Sequence, residues 1–153
     1  MRKIDETDMR ILRAMQKDGS MTVAEIAEAA GLSQSPCSRR ISQLEDAGVI
    51  LGRSVKLDRR KLGFDVNIDV CVKIDAHTRD ALDIFKREVQ LIPEVQMAVL
   101  VMGEYDFRLR VVVRDIEHYR LLLQDRLSTI KGVQEMHSSV ILEVVKDTTE
   151  LPI

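Results

Sequence analysis

Tryptophan is absent from the sequence, and tyrosine and phenylalanine together number five in 153 residues. A core made from such a chain has to be aliphatic. Stacking of bases on aromatic platforms, the common way of holding single strands or RNA, has almost no material here. Cysteine is equally scarce: Cys37 and Cys71 lie far apart, which excludes a disulfide framework or a zinc spacing and suits a reducing compartment. No apolar run approaches the roughly 20 residues of a membrane span, and the opening MRKIDETDMR is too charged for a signal peptide. His77, His118 and His137 have no ligand spacing with one another or with either cysteine. No nucleophile–base pair, phosphate loop or metal motif occurs, so an enzyme has no positive support. A soluble, cytoplasmic non-enzyme without metal or cofactor is expected.

What is present is unevenly distributed. Apolar residues make up 45%, ordinary for a globular chain with a real core. The net charge of −2 hides an asymmetry. Residues 1–60 carry 11 Lys and Arg against 9 Asp and Glu, whereas residues 61–153 carry 12 against 16. A basic head on an acidic body is the balance expected when only the head meets a polyanion.

Within the head, Thr22 followed three residues later by Glu25 forms a capping box, so a helix is expected from Val23. Val23, Ile26, Ala27 and Ala30 fall on one face. Gly31 ends it, Leu32 plugs the corner and Ser33 stands ready to cap a second helix, with Pro36 in its first turn. Cys37, Ile41 and Leu44 then point inward, while Ser35, Ser38, Arg39, Ser42 and Gln43 point outward. From Leu32 to Leu44 there is no acidic residue, in a chain that is acidic overall. Two short helices with such a face make a helix-turn-helix suited to the major groove of double-stranded DNA. Thr22 and Gln34, at the starts of the two helices, join the candidate DNA contacts.

A preceding helix is capped by Asp5 with Asp8 and carries Ile11, Leu12 and Met15 as its stripe, up to Asp18-Gly19. After Gly48, VILG and RSVKL read as two β-prone pieces of a small wing, which brings Arg53 and Lys56 to the phosphates, and Asp58–Leu62 reads as one helical turn or a linker, so that 51–62 is wing and linker. Domains are expected at 1–60 and 63–153. In the second, Asp65–Asp75 alternates strictly and reads as a half-buried strand. Thr78–Ile92 reads as a helix closed by Pro93, Val95–Met102 as a strand, Gly103–Asp106 as a turn and Phe107–Val113 as the returning strand. Asp115 caps a helix carrying Ile116, Tyr119, Leu122 and Leu123 inward up to Lys131-Gly132, and Val133–Lys146 is a last strand. The fold class is α+β: a winged helix-turn-helix followed by a ferredoxin-like βαββαβ domain. Its open sheet face is expected to carry Ala98, Leu100 and Met102, an apolar surface calling for a second copy in a two-fold dimer.

The turn has chemistry of its own. Gly103 allows close approach to exposed backbone N–H groups, which suit a carboxylate, while Asp106 suits an ammonium. A zwitterionic amino acid satisfies both; a plain hairpin turn also accounts for Gly and Asp.

Through IDETDMRILRAMQKDG, GLSQSPCSRRISQLEDAGVI, MGEYDFRLRVVV and the KGV before the last strand, the chain resembles the Lrp/AsnC, or feast/famine, family of transcription regulators over essentially its full length. The resemblance implies a winged head on a ligand-sensing domain of the RAM type, dimers assembling to octamers or similar, and an amino-acid effector bound between dimers. It also implies a nucleoid-associated protein. Ser33, Ser35, Ser38, Arg39, Arg40 and Gln43 match the recognition-helix segment. Gly103, Tyr105 and Asp106 match the effector turn, with Leu100, Met102 and Glu104 adjoining, and Gln134, Met136 and Ser138 match the wall given by a neighbouring subunit. Where the family often has threonines near 136 and 138, this chain has Met136 and Ser138, so a leucine-like specificity does not simply carry over. The rival is a tetrapyrrole decarboxylase of the same two-domain arrangement, for which Arg108, Arg110 and His137 are the candidates to face a polycarboxylate. A redox sensor at Cys37 is a weaker third reading, because the thiol falls on the helix's inner face.

Overall fold

The computed structural model describes residues 3–75 and 79–153. It divides into two compact units: the chain up to Lys56 together with Lys146–Ile153, and Leu57–Val145. The expected division at residues 60–63 therefore shifts, and the last eight residues belong to the first unit. Among the described residues no helix is long and apolar enough to cross a membrane.

In the first unit, α1 (Glu6–Lys17) starts from a full capping box in which the Asp5 carboxylate accepts the Asp8 N–H and Asp8 accepts that of Asp5. Thr22 and Glu25 do the same for α2 (Val23–Ala30), as expected. Gly31 follows with φ 68°, a left-handed turn that a Cβ would strain. The N–H of Leu32 then closes on the Ala27 carbonyl at 2.8 Å and launches α3 (Gln34–Asp46). Ile11, Ile26, Ala27, Ala30, Cys37, Ile41 and Leu44 form the aliphatic core. Ser33 occupies the cap position of α3 without a side-chain cap bond. The wing does not form: residues 51–57 contain no strand, and Leu51 and Val55 stand in solvent. An isolated two-stranded ribbon is marginal in water, and no third strand lies beside these pieces within the unit.

The second unit opens with a 3₁₀ turn (Arg60–Leu62), then β1 (Val66–Ile74), α4 (Arg79–Gln90), β2 (Val95–Leu100), β3 (Phe107–Val113), α5 (Ile116–Leu122) and β4 (Val133–Val140). Thr78, the expected start of α4, lies outside the described residues, as does His77. The sheet order is β2-β3-β1-β4, with the antiparallel pairings of a βαββαβ fold. Ile68, Val70, Val72, Ile74, Phe107, Leu109, Val111 and Val113 face the helices, meeting Phe85 and Val89 of α4 and Tyr119 and Leu122 of α5. Phe85 and Phe107 rings lie 4.5 Å apart at the centre.

Three expectations change in this unit. The last strand stops at Val140 rather than Lys146: the register with β1 ends at the Ile68–Val140 pair, and the Ile141 N–H makes one further bond, to the Asn67 carbonyl. Ile116 is exposed, and α5 gives way after Leu122 to a π-helical turn (Leu123–Leu127) closed by the Ser128 N–H on the Leu123 carbonyl. The third concerns the open face. A register shift between Val95 and Met97 reverses the alternation of β2, so Ala98 pairs with Leu109 and Leu100 with Phe107 on the helix-covered side. Met97 and Val99 turn outward instead, opposite Arg110 and Arg108. The open face therefore mixes apolar and charged residues and lacks Ala98 and Leu100, while Met102 lies past the end of the strand.

Candidate DNA interface and effector turn

On α3, Ser35, Ser38, Arg39 and Ser42 recur at three- and four-residue intervals and are all exposed, together with Ser33, Gln34 and Gln43. One cation, short hydroxyls and two amides face outward from a helix whose back is held by Cys37, Ile41 and Leu44. The helix can enter a groove by its stretch up to Leu44 without desolvating an acid. Thr22 is exposed too, but its hydroxyl is engaged by Glu25 at 2.7 Å. Arg53 leans on the Met21 carbonyl at 3.4 Å, beside the start of α2, and Lys56 is exposed. Both lie on irregular chain rather than on a wing.

Arg40 is the exception among the expected contacts. Its Nη1 donates to Asp5 Oδ2 and to Asp8 Oδ1, each at 2.8 Å, and Asp8 is fully buried. It points at α1 and away from the outer face. The two carboxylates raise the guanidinium pKa, Asp5 foremost. The sequence signal was its spacing: residues 37, 40, 41 and 44 share the inner stripe of α3, as residues 8, 11, 12 and 15 share that of α1.

In the second unit, Gly103–Asp106 forms the expected turn. Gly103 does not take a left-handed backbone, and a Cβ there would meet nothing within 4 Å. Its own chain therefore has no need of a glycine at this point. Asp106 is less open than expected: its Oδ2 accepts the Ile74 N–H at 2.8 Å and its N–H binds the Val72 carbonyl. It ties the turn to the end of β1. Glu104 is the exposed carboxylate of the turn, and Tyr105 sets its ring 5.4 Å from that of His137, edge to face. Burial, then Glu104, raise the Tyr105 phenol above its ordinary range.

The remaining effector candidates are not gathered around this turn. Leu100 lines a hollow of about 350 Å³ against α4, with Val89 and Phe107. Gln134 and Met136 line another, of about 500 Å³, against Arg120, Leu123 and Gln124. Met136 pairs in register with Val72 on the helix-covered side, whereas Tyr105 reaches His137, which pairs with Cys71 on the open side. Ser138 is committed inward: its hydroxyl lies 2.5 Å from Tyr119 Oη, beneath α5. Met102 stands fully in solvent.

Two of the three residues named for a polycarboxylate pocket are paired within the chain, Arg108 with Asp69 at 2.8 Å and His137 with Glu135 at 2.7 Å. Among the described residues no group of three acidic, His or Cys side chains is placed to hold a metal. Cys37 is fully buried and its thiol is pushed up by that burial, which leaves it inert.

A helix-turn-helix whose segment from Leu32 to Leu44 carries no acid, on a chain that also carries a βαββαβ domain, is the arrangement of a DNA-binding transcription regulator. The chain belongs to the Lrp/AsnC family: the Lrp/AsnC ligand binding domain matches residues 69–151 and a winged helix-turn-helix DNA-binding domain matches residues 4–50. The glutamate uptake regulatory protein of Zymomonas mobilis is 35% identical over 153 residues, covering 100% of this chain and 93% of its own. A transcriptional regulator from Neisseria meningitidis, solved in complex with L-Met, is 34% identical with a TM-score of 0.93 over 98% of this chain and 97% of its own. A feast or famine regulatory protein of M. tuberculosis complexed with L-methionine has a TM-score of 0.88 at 27% identity, over 97% and 99% of the two chains. Such relatives are named as regulators and not as enzymes, which leaves the decarboxylase without support.

Proposed function

We propose that this chain regulates transcription by laying the Ser35–Ser38–Arg39–Ser42 face of α3 in the major groove, and that an amino acid bound at the Gly103–Asp106 turn controls its assembly on DNA. The observation that carries the reading is the outer face of α3 from Ser35 to Gln43: Ser35, Ser38, Arg39, Ser42 and Gln43 are all exposed and none is acidic, the acids Glu45 and Asp46 coming only in the last turn. Arg39 is the cation placed for base edges or phosphate. Arg53 and Lys56 add phosphate contacts from the irregular segment that follows, which orders on the duplex.

The effector site is built between copies. In a single chain the turn and the start of β4 lie at one end of the sheet but on opposite faces, so one chain gives only half a pocket. Leu100 and Met102 are more than half exposed at the edge and end of β2, an apolar stretch suited to a neighbour. The turn's N–H groups take the effector's carboxylate and Glu104 its ammonium, while Asp106 holds the turn in shape. Gln134 and Met136 of a neighbouring copy close over the side chain. The two relatives solved with L-Met favour an apolar or thioether side chain.

A two-fold dimer forms through the open sheet face. Two of its charged pairs are already matched within the chain, Asp69–Arg108 and Glu135–His137, which lowers the cost of covering them. Dimers then join through the effector turns into octamers or a similar ring. A ligand shifts such an assembly only by its differential affinity, typically about 1–3 kcal/mol.

Thermal-shift screening of the twenty amino acids tests the sensing, because a ligand that binds only the folded protein raises its melting temperature. A responder should lose its effect in Gly103→Val, where a Cβ meets no atom of the chain within 4 Å and the branched side chain fills the approach to the backbone. If no amino acid stabilises the wild type at millimolar concentration, or the variant responds equally, the turn is structural.

A further inference from the structure

We infer that Arg40 acts on DNA recognition without touching DNA: clamped between Asp5 and Asp8, it is the positioning residue that sets how α3 presents Arg39 and its neighbours. This deepens the reading of α3 as the recognition helix and rests on it.

The atoms are matched one to one. Nη1 of a guanidinium carries two hydrogens, and here one goes to Asp5 Oδ2 and one to Asp8 Oδ1, both at 2.8 Å. The other oxygen of each carboxylate is engaged by backbone: Asp5 Oδ1 takes the Asp8 N–H at 2.8 Å and Asp8 Oδ2 the Asp5 N–H at 3.2 Å. Two carboxylates thus cap α1 and grip α3 at once. The Arg40 side chain is 28% exposed, and Asp8 is completely buried between the helices. The remaining α1–α3 contact runs through Ile11, Cys37, Ile41 and Leu44, which resists separation but constrains rotation weakly, since apolar packing is non-directional. Hydrogen bonds to a fixed fork are directional. Arg39 adjoins Arg40 in the chain, so a turn of α3 about its axis swings Arg39 off the base it reads.

A positioning role and a phosphate contact leave different signatures. Phosphate contacts support binding to any duplex, and losing one makes the dependence of log K on log salt shallower by about 0.9. Mispositioned base contacts lower affinity for the chosen site alone. The experiment uses the full-length protein and two labelled duplexes of equal length: a fragment that wild-type protein selects from its own genome, and a random sequence. Binding to each is followed across a salt series for Arg40→Met, Arg40→Lys, and the double variant Asp8→Leu/Arg40→Met. The double variant leaves no unpaired buried carboxylate, and apolar replacement of a buried ion pair commonly preserves stability.

The expected result is a loss of roughly fivefold or more on the selected duplex, the scale of one base contact, with affinity for the random duplex and the salt slope unchanged. Arg40→Lys, which keeps the charge and can still reach a carboxylate, should recover part of the discrimination. Where Arg40→Met does not fold, the double variant and Arg40→Lys decide. Parallel losses on both duplexes with a shallower slope overturn the inference in favour of phosphate contact. A folded double variant with wild-type discrimination overturns it as well. A wild type that binds the two duplexes equally overturns the α3 reading itself.

Discussion

Gln16 and Leu151, 135 residues apart in the sequence, are joined by two hydrogen bonds: the Leu151 N–H donates to Gln16 Oε1 at 2.8 Å, and Gln16 Nε2 donates to the Leu151 carbonyl at 3.2 Å. A side-chain amide here replaces a strand neighbour for the end of the chain, holding Leu151 and Ile153 beside Leu12 and Met15 of α1. The head is thus completed by residues that come last in the chain. Gln16→Ala removes both bonds from an exposed site, where each is worth about 0.5–1.5 kcal/mol at most. It should lower the melting temperature of the helix-turn-helix and expose the tail to carboxypeptidase, with helix content unchanged by circular dichroism. A tail equally protected in Gln16→Ala would show that the pair contributes nothing.

Arg39→Ala is expected to weaken binding to the selected DNA by about 1–3 kcal/mol, the discrimination of one good base contact. Its melting temperature should match the wild type, since the side chain is exposed and packs on nothing in the core. Anisotropy titration at physiological salt checks the first expectation and calorimetry the second. Undiminished binding would remove α3 from the groove.

The N-terminal caps make the head acid-sensitive. Asp5 has its pKa lowered by the Asp8 N–H first and Arg40 second, and Glu25 by the N–H and hydroxyl of Thr22. A group whose folded pKa is depressed adds stability that is fully present above its unfolded value, 3.8 for Asp5 and 4.5 for Glu25, and that is lost as pH falls through the folded one. The melting temperature of the head should be flat on the neutral side of that window and fall within and below it. Glu25→Gln should lower the neutral plateau and make the acid fall gentler. An acid limb of unchanged slope in that variant would mean that other carboxylates govern it.

How much of this was legible in the sequence depends on whether a feature is local. Capping boxes at Asp5 and Thr22, the stop at Gly31 and the alternation of β1 are decided by neighbours in the chain, and the structure bears them out. The features that went astray are set by partners distant in sequence. One extra residue between Val95 and Met97 reversed the faces of β2, and nothing in VQMAVL announces a bulge. The wing lacked a partner strand, and β4 left its register with β1 after the Ile68–Val140 pair. Ser138 bonds Tyr119, nineteen residues away, a partner that no local pattern announces. Arg40 sits between these cases, because a charge on the inner stripe announces a buried partner without saying which.

The open-face dimer can be followed through its cysteine. Cys71 pairs in register with Arg108 on one side and His137 on the other, so it sits near the centre of that face, half-buried in a single chain. Cys37 has no exposure at all and a thiol pushed up by burial, so it should stay silent towards a disulfide reagent in the native protein. Any native thiol reaction therefore reports Cys71 alone. If two copies pack through this face, Cys71 should be protected at micromolar concentration and become reactive only as dilution yields monomers, with both thiols reacting in denaturant. The rate should follow the monomer fraction measured by sedimentation. A Cys71 that reacts fully while the protein sediments as a dimer would place the two-fold interface on another surface.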